Sequence, residues 1–188
     1  MSSTRSYRSK VMSVLIAAVI LGTFGGYVSW AKNMKRAKEL SQNYVIAYPA
    51  PPVGWKAIPH SPRALFLYQK DNSNVLLNGG VNQLEDDVNP TPDLGTENLA
   101  NQVIDMTREN MPGWTAEKLD SIDADGTSFR LVKRVNGNHV VINAFTVKGN
   151  TTLLISLTGR GVASTKIIDA NLDVFRRFLS HVKLSLSN

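Results

Sequence analysis

The chain has no cysteine among its 188 residues. That excludes disulfides, thiolate metal ligands and a cysteine nucleophile. Histidine is nearly as scarce. His60, His139 and His181 stand far apart, and no pair has the H-x-x-x-H spacing that brings two imidazoles to one metal. A G-x-S-x-G elbow for a serine nucleophile is also missing. Gly159-Arg160-Gly161 looks like half of a phosphate loop, but the third glycine and the Lys-Ser/Thr pair are not there. No internal repeat or low-complexity tract is present. With no catalytic set visible, the chain is expected not to be an enzyme and to carry no cofactor. A hydrolase with a nonstandard site stays open as an alternative.

The folded part also lacks an excess of charge. The chain holds 21 basic and 15 acidic residues, a net of +6. Arg5, Arg8, Lys10, Lys32, Lys35, Arg36 and Lys38, opposed by Glu39 alone, supply that whole excess before Asn43. From Asn43 onward 14 basic residues meet 14 acidic ones. A nucleic-acid-binding domain carries its positive charge on its own folded surface. No nucleic acid partner is therefore expected, and the basic flanks suit anionic lipid headgroups.

What the sequence does contain is one long uncharged run, Val11 to Trp30. At 1.5 Å per residue its twenty residues make a helix of about 30 Å, the thickness of a hydrocarbon core. It is longer than the apolar stretch of a usual signal peptide. Val11, Leu15 and Ile20 supply the apolar body, and Tyr27 and Trp30 sit where aromatic belts lie. Ser29-Trp30-Ala31 keeps cleavage open as an alternative. Gly22 and Gly26 fit a small-residue helix-packing motif, or are glycines of the kind common in membrane helices. The expected organisation is a cytoplasmic tail over 1–10, a transmembrane helix over 11–31, a basic helical stalk over 32–43 and a globular domain over 44–188. Flanking charges nearly balance, so the positive-inside rule is almost tied. The short tail favours a single-pass inner-membrane protein with a periplasmic or otherwise extracytoplasmic domain.

Within the domain, periodicity predicts strands at Tyr44–Pro49, Ala64–Gln69, Val75–Leu84, Trp114–Ile122, Ser128–Val135, Val140–Val147 and Thr151–Thr158. Asn136-Gly137 marks a hairpin. A helix is expected from an N-cap at Thr96 to Pro112. A second runs from Ser164 or Thr165 to about Lys183, with Ile168, Leu172, Phe175, Leu179 and Val182 on one stripe. That face must lie on a sheet. The fold class is α+β, an antiparallel β-sheet covered by helices.

This order, with Tyr44-Val-Ile-Ala-Tyr-Pro leading into Gly54-Trp55-Lys56, the Phe129-Arg130 strand and the terminal helix, resembles the PsbP-like fold, an α/β/α sandwich. That group includes the extrinsic oxygen-evolving protein of photosystem II, a Ran-binding nuclear import factor and small bacterial envelope lipoproteins. The resemblance covers about 44–184. It implies a non-enzymatic binding or assembly role, hence an accessory subunit or assembly factor of a membrane or envelope protein complex. The lipoproteins carry a lipid-modified cysteine, and here the transmembrane helix would take its place. No ligand-binding residue carries over.

Two acidic groups and one stiff segment are the remaining candidates. Glu85, Asp86 and Asp87 with Asp93 are weak metal candidates for Ca²⁺, which would make the domain a ligand sensor. Asp120, Asp123 and Asp125 fail the EF-hand spacing. The stretch from Tyr48 to Pro62 holds five of the eight prolines. A stiff segment loses little entropy on docking, so Tyr48, Pro51, Pro52 and Trp55 form the expected partner-binding edge. Trp55 and Trp114 each follow a turn and read either as core plugs or as exposed anchors.

Overall fold

A computed structural model of the chain describes residues 44–62, 64–83, 92–124, 126–148, 151–159 and 164–186. The tail, the run with Val11, Leu15, Ile20, Gly22, Gly26, Tyr27 and Trp30, and the stalk lie outside the described residues. Among the described residues no helix is long and apolar enough to cross a membrane.

The elements are β1 (Tyr44–Ala47), β2 (Trp55–Ala57), β3 (Ala64–Lys70), β4 (Leu76–Gln83), α1 (Pro92–Asn110), β5 (Thr115–Ala124), β6 (Thr127–Asn136), β7 (His139–Lys148), β8 (Thr151–Gly159), α2 (Ser164–Leu179) and β9 (Lys183–Leu186). Seven strands form one antiparallel sheet in the order β2-β3-β4-β8-β7-β6-β5, and β1 pairs with β9 in a separate ribbon. The fold is α+β, as the periodicities require. β7 and β8 lie inside the sheet and are buried on both faces, which is why Val140–Val147 is apolar throughout.

The helices take opposite faces. Ile168, Phe175, Phe178 and Leu179 of α2 pack with Phe66, Leu77, Phe129, Leu131, Ile142, Ile155 and Leu157. Ala100, Val103 and Ile104 of α1 pack on Val132, Phe145 and Leu154. Successive strand residues point to opposite faces, so Leu131 and Val132 serve different helices. Lys133 Nζ reaches Asp169 Oδ1 at 2.9 Å, and Lys70 Nζ donates to Asn171 Oδ1 at 3.0 Å, tying β6 and β3 to α2.

Four local expectations need correction. Helix α1 begins at Pro92 rather than after Thr96. Proline is preorganised for a first helical turn, where its missing N–H costs nothing. Thr96 is instead buried, and its Oγ1 accepts the Val147 N–H at 3.1 Å. The β6–β7 hairpin turns one residue later than Asn136-Gly137. Asn136 pairs with His139, and Gly137 takes the first loop position at φ 54°, as a type II′ turn requires. Helix α2 stops at Leu179, and the chain past it returns as β9. Finally, Trp55–Ala57 is a strand, β2, in a stretch read only as a proline-rich connection.

Candidate functional site

The stretch from Val45 to Trp55 is where the candidate partner-binding residues come together. It leaves β1, crosses the edge of the sheet and re-enters as β2. Its proline content keeps it extended, and the sheet beneath holds it in place. Tyr48 Oη donates to Leu65 O at 2.9 Å, and its ring lies against Phe66 with centroids 4.9 Å apart. Tyr68 Oη donates to Pro49 O at 3.2 Å. The Trp55 N–H donates to Pro52 O at 3.0 Å, and the Asp71 N–H to Gly54 O at 2.9 Å. Gly54 turns the tip at φ 77°, a conformation open to glycine. Tyr68 stays protonated to higher pH than usual, first because it is buried and second because Tyr48 is beside it.

The structure divides the four expected contact residues. Tyr48 is 39% exposed, so its ring is presented on one side and packed on the other. Pro51 and Pro52 are half-buried. Trp55 is only 8% exposed and belongs to the core with Phe66 and Tyr68. It therefore supports the segment from below and is not a contact residue. The ring fills space under the turn, Lys70 Nζ stands 5.8 Å from its centroid, and the indole N–H is buried without an acceptor among the described residues.

Two residues that the sequence did not single out are also exposed on this segment. Val53 is fully exposed at the tip, and Val45 is 54% exposed on β1. With Tyr48 they are the exposed large hydrophobics of the described residues, and they fall within nine positions. A signal for Val53 was available. An apolar residue between Pro51-Pro52 and Gly54 sits at a turn, where it has nowhere to be buried.

The other candidates separate. His60 lies between β2 and β3, His139 at the start of β7 and His181 between α2 and β9, and His181 Nδ1 is 2.8 Å from Arg177 O. Glu85, Asp86 and Asp87 lie outside the described residues, as does the side chain of Asp93. Asp120 is 3.9 Å from Arg176 Nη2, and Asp125 is outside the described residues. Asp123 opens onto a cleft of about 220 Å³ lined also by Thr96, Thr127, Ser128, Thr146 and Lys148. The lysine there is already engaged, its Nζ donating to Leu184 O at 2.7 Å. Residues 160–163, after Gly159, are outside the described residues. Edge strand β5 is guarded by Glu117, Lys118 and Asp120 and by a register shift between Leu119 and Ile122. Glu97 joins α1 to the sheet through Lys118 and through Arg130 Nε at 3.0 Å. Its carboxyl is held below the usual range, chiefly by the hydrogen bond from Lys118, against an opposing effect of burial and with further help from Arg130.

No family model matches the chain, and no curated protein matches it. Among solved structures it is similar to cyanobacterial PsbP (CyanoP) from Synechocystis sp. PCC 6803, at 14% identity and a TM-score of 0.49, over 88% of this chain and 99% of that one. It is similar at the same identity and TM-score to LpqN, involved in cell envelope biogenesis of Mycobacterium tuberculosis, over 78% of this chain and 86% of that one.

Proposed function

We propose that this chain is a single-pass, membrane-anchored, non-enzymatic binding module, an accessory subunit or assembly factor of a membrane or envelope protein complex. Its docking edge is the segment from Val45 to Val53. One observation carries this reading: the exposed large hydrophobics of the described residues are gathered on a single hydrogen-bonded segment. Three exposed large apolar side chains fall on nine successive residues and none elsewhere among the described residues, which gives this segment apolar surface for a partner to cover. Stapling the segment to β3 lowers the ordering entropy a partner would otherwise have to overcome. The uncharged run from Val11 to Trp30 supports the anchor. It ends fourteen residues before Tyr44, about 21 Å as a helix. The docking edge would then stand at the membrane-proximal end of the domain, on its extracytoplasmic side.

The test is Val53→Asp in the full-length chain. The side chain is fully exposed, so stability should move by no more than about 0.5 kcal/mol. Co-purification of its partner after gentle detergent extraction should fall by about tenfold, roughly 1.4 kcal/mol of binding. An unchanged partner yield from a folded Val53→Asp protein would contradict the proposal.

A further inference from the structure

Strand β6 sends Arg130, Val132 and Arg134 to the face that carries α1. The two arginines meet different surroundings. Arg130 is half-buried and paired with Glu97. Arg134 is 5% exposed, and no ion pair among the described residues includes it. Its Nη2 donates to Asn143 Oδ1 at 2.9 Å, and Asn143 Nδ2 donates to Ser156 Oγ at 2.7 Å. Its Nε is buried without an acceptor. Trp114 lies over it, the guanidinium carbon 5.9 Å from the ring centroid, and the ring in turn meets His139 edge-on at 6.4 Å. Burial alone draws the guanidinium pKa below its ordinary value.

An ion withdrawn from water without a counter-charge costs several kcal/mol. A cation–π contact and one amide oxygen offset only part of that. The guanidinium fork matches a carboxylate bidentately, and Nε with Nη2 forms one such edge. The floor beside it continues over β7, β8 and β4 as Val141, Thr158, Leu76 and Asn78, all half-buried, while α1 packs on β5, β6 and β7. That stretch of the sheet, beside Arg134 through its partner Val141, is left partly open to solvent. Trp114 is half-buried and follows the Pro112-Gly113 turn, with Gly113 at φ 80°, so its ring sits at the start of a strand and not within one.

We propose that Arg134, flanked by Asn143 and Ser156 and roofed by Trp114, is a carboxylate-binding site, filled by a small organic acid or by the free C-terminus of a peptide. Trp114 swings aside to admit the carboxylate, which takes Nε and Nη2. This site is separate from the segment at Val45–Val53 and stands or falls independently of it.

The test uses the full chain in lipid nanodiscs and isothermal titration. The probes are benzoate, a short acetylated peptide with a free C-terminal carboxylate, and the same peptide as its amide. Saturable binding of either acid, with the amide at least about tenfold weaker, supports the site. Benzoate alone identifies a small acid as its ligand, and the peptide alone identifies a chain end. Asn143→Asp places a carboxylate beside Arg134 from within. It should abolish acid binding while the melting temperature holds or rises. Arg134→Lys, which keeps the charge and loses the fork, should weaken binding by about tenfold or more. The proposal is overturned if neither acid binds more tightly than about 10 mM, if acid and amide bind alike, or if Asn143→Asp binds as the parent does.

Discussion

Val53 and Trp55 stand two residues apart, one fully in solvent and one in the core. Residues two apart on a strand would face the same way, so the contrast comes from the turn: Val53 stands in it, and β2 starts only at Trp55. The contrast reverses the roles that composition suggests. An aromatic after a glycine looks like the anchor, yet the small aliphatic at the tip is what a partner would meet. Gly79 shows a different dependence. A Cβ there would run into the Phe66 ring. Gly79→Ala should cost about 1–3 kcal/mol, read as a lower urea midpoint at unchanged slope. An unchanged midpoint would mean that the ring has room to move. Glu97 supplies a pH-dependent prediction. Its folded pKa is lowered, so its stabilising contribution is present above the unfolded value and is lost as pH falls through the folded value. The stability gap between the parent and Glu97→Gln should be constant near neutrality and close as pH drops below the ordinary carboxylate range. A gap that widens on acidification would show the opposite shift. Of these features the sequence displays the turn at Gly54. It does not display which glycine meets a ring, because Phe66 and Gly79 meet only through the β3–β4 pairing.

At the level of elements, length decides what is legible. The ten-residue strands and both helices repeat their pattern often enough to be read, and they appear within a few residues of their expected bounds. β2 and β9, of three and four residues, carry too little pattern. Their structure is imposed by partners, β3 in one case and β1 in the other. Val182 explains why α2 was expected to run on. It fits the helical stripe, but it also alternates with Leu184, and the structure buries both. The edge of β1 needs backbone partners, and β9 provides them from Tyr44↔Leu186 to Ala47↔Lys183. Leu184→Ala should cost about 2–5 kcal/mol, as for a buried leucine, measured by thermal or urea unfolding. An effect below about 0.5 kcal/mol would mean that β9 is ornamental to the core. The proposed docking edge would inherit this dependence, because β1 feeds directly into Tyr48.

For the molecule as a whole, charge and apolar surface divide along the chain. The net positive charge lies before Asn43, the rest of the chain is neutral, and the exposed large hydrophobics of the described residues fall between Val45 and Val53. The proline content of the Tyr48–Pro62 stretch is visible in sequence. That this stretch is bonded to the sheet and tipped by Val53 is visible only in three dimensions, since Leu65, Tyr68 and Asp71 supply the bonds from β3 and the turn after it. The buried Arg134 was illegible for a similar reason: its neighbours Trp114, Asn143 and Ser156 come from three other stretches of the chain. The central claim is that the proline segment is the docking edge of an anchored module. A photo-crosslinking residue placed at Val53, with a second chain carrying it at exposed Glu109 on α1, tests this in intact membranes. The account predicts a discrete crosslinked protein from position 53 and none from position 109. Equal products from both positions, or a product from 109 alone, would contradict it.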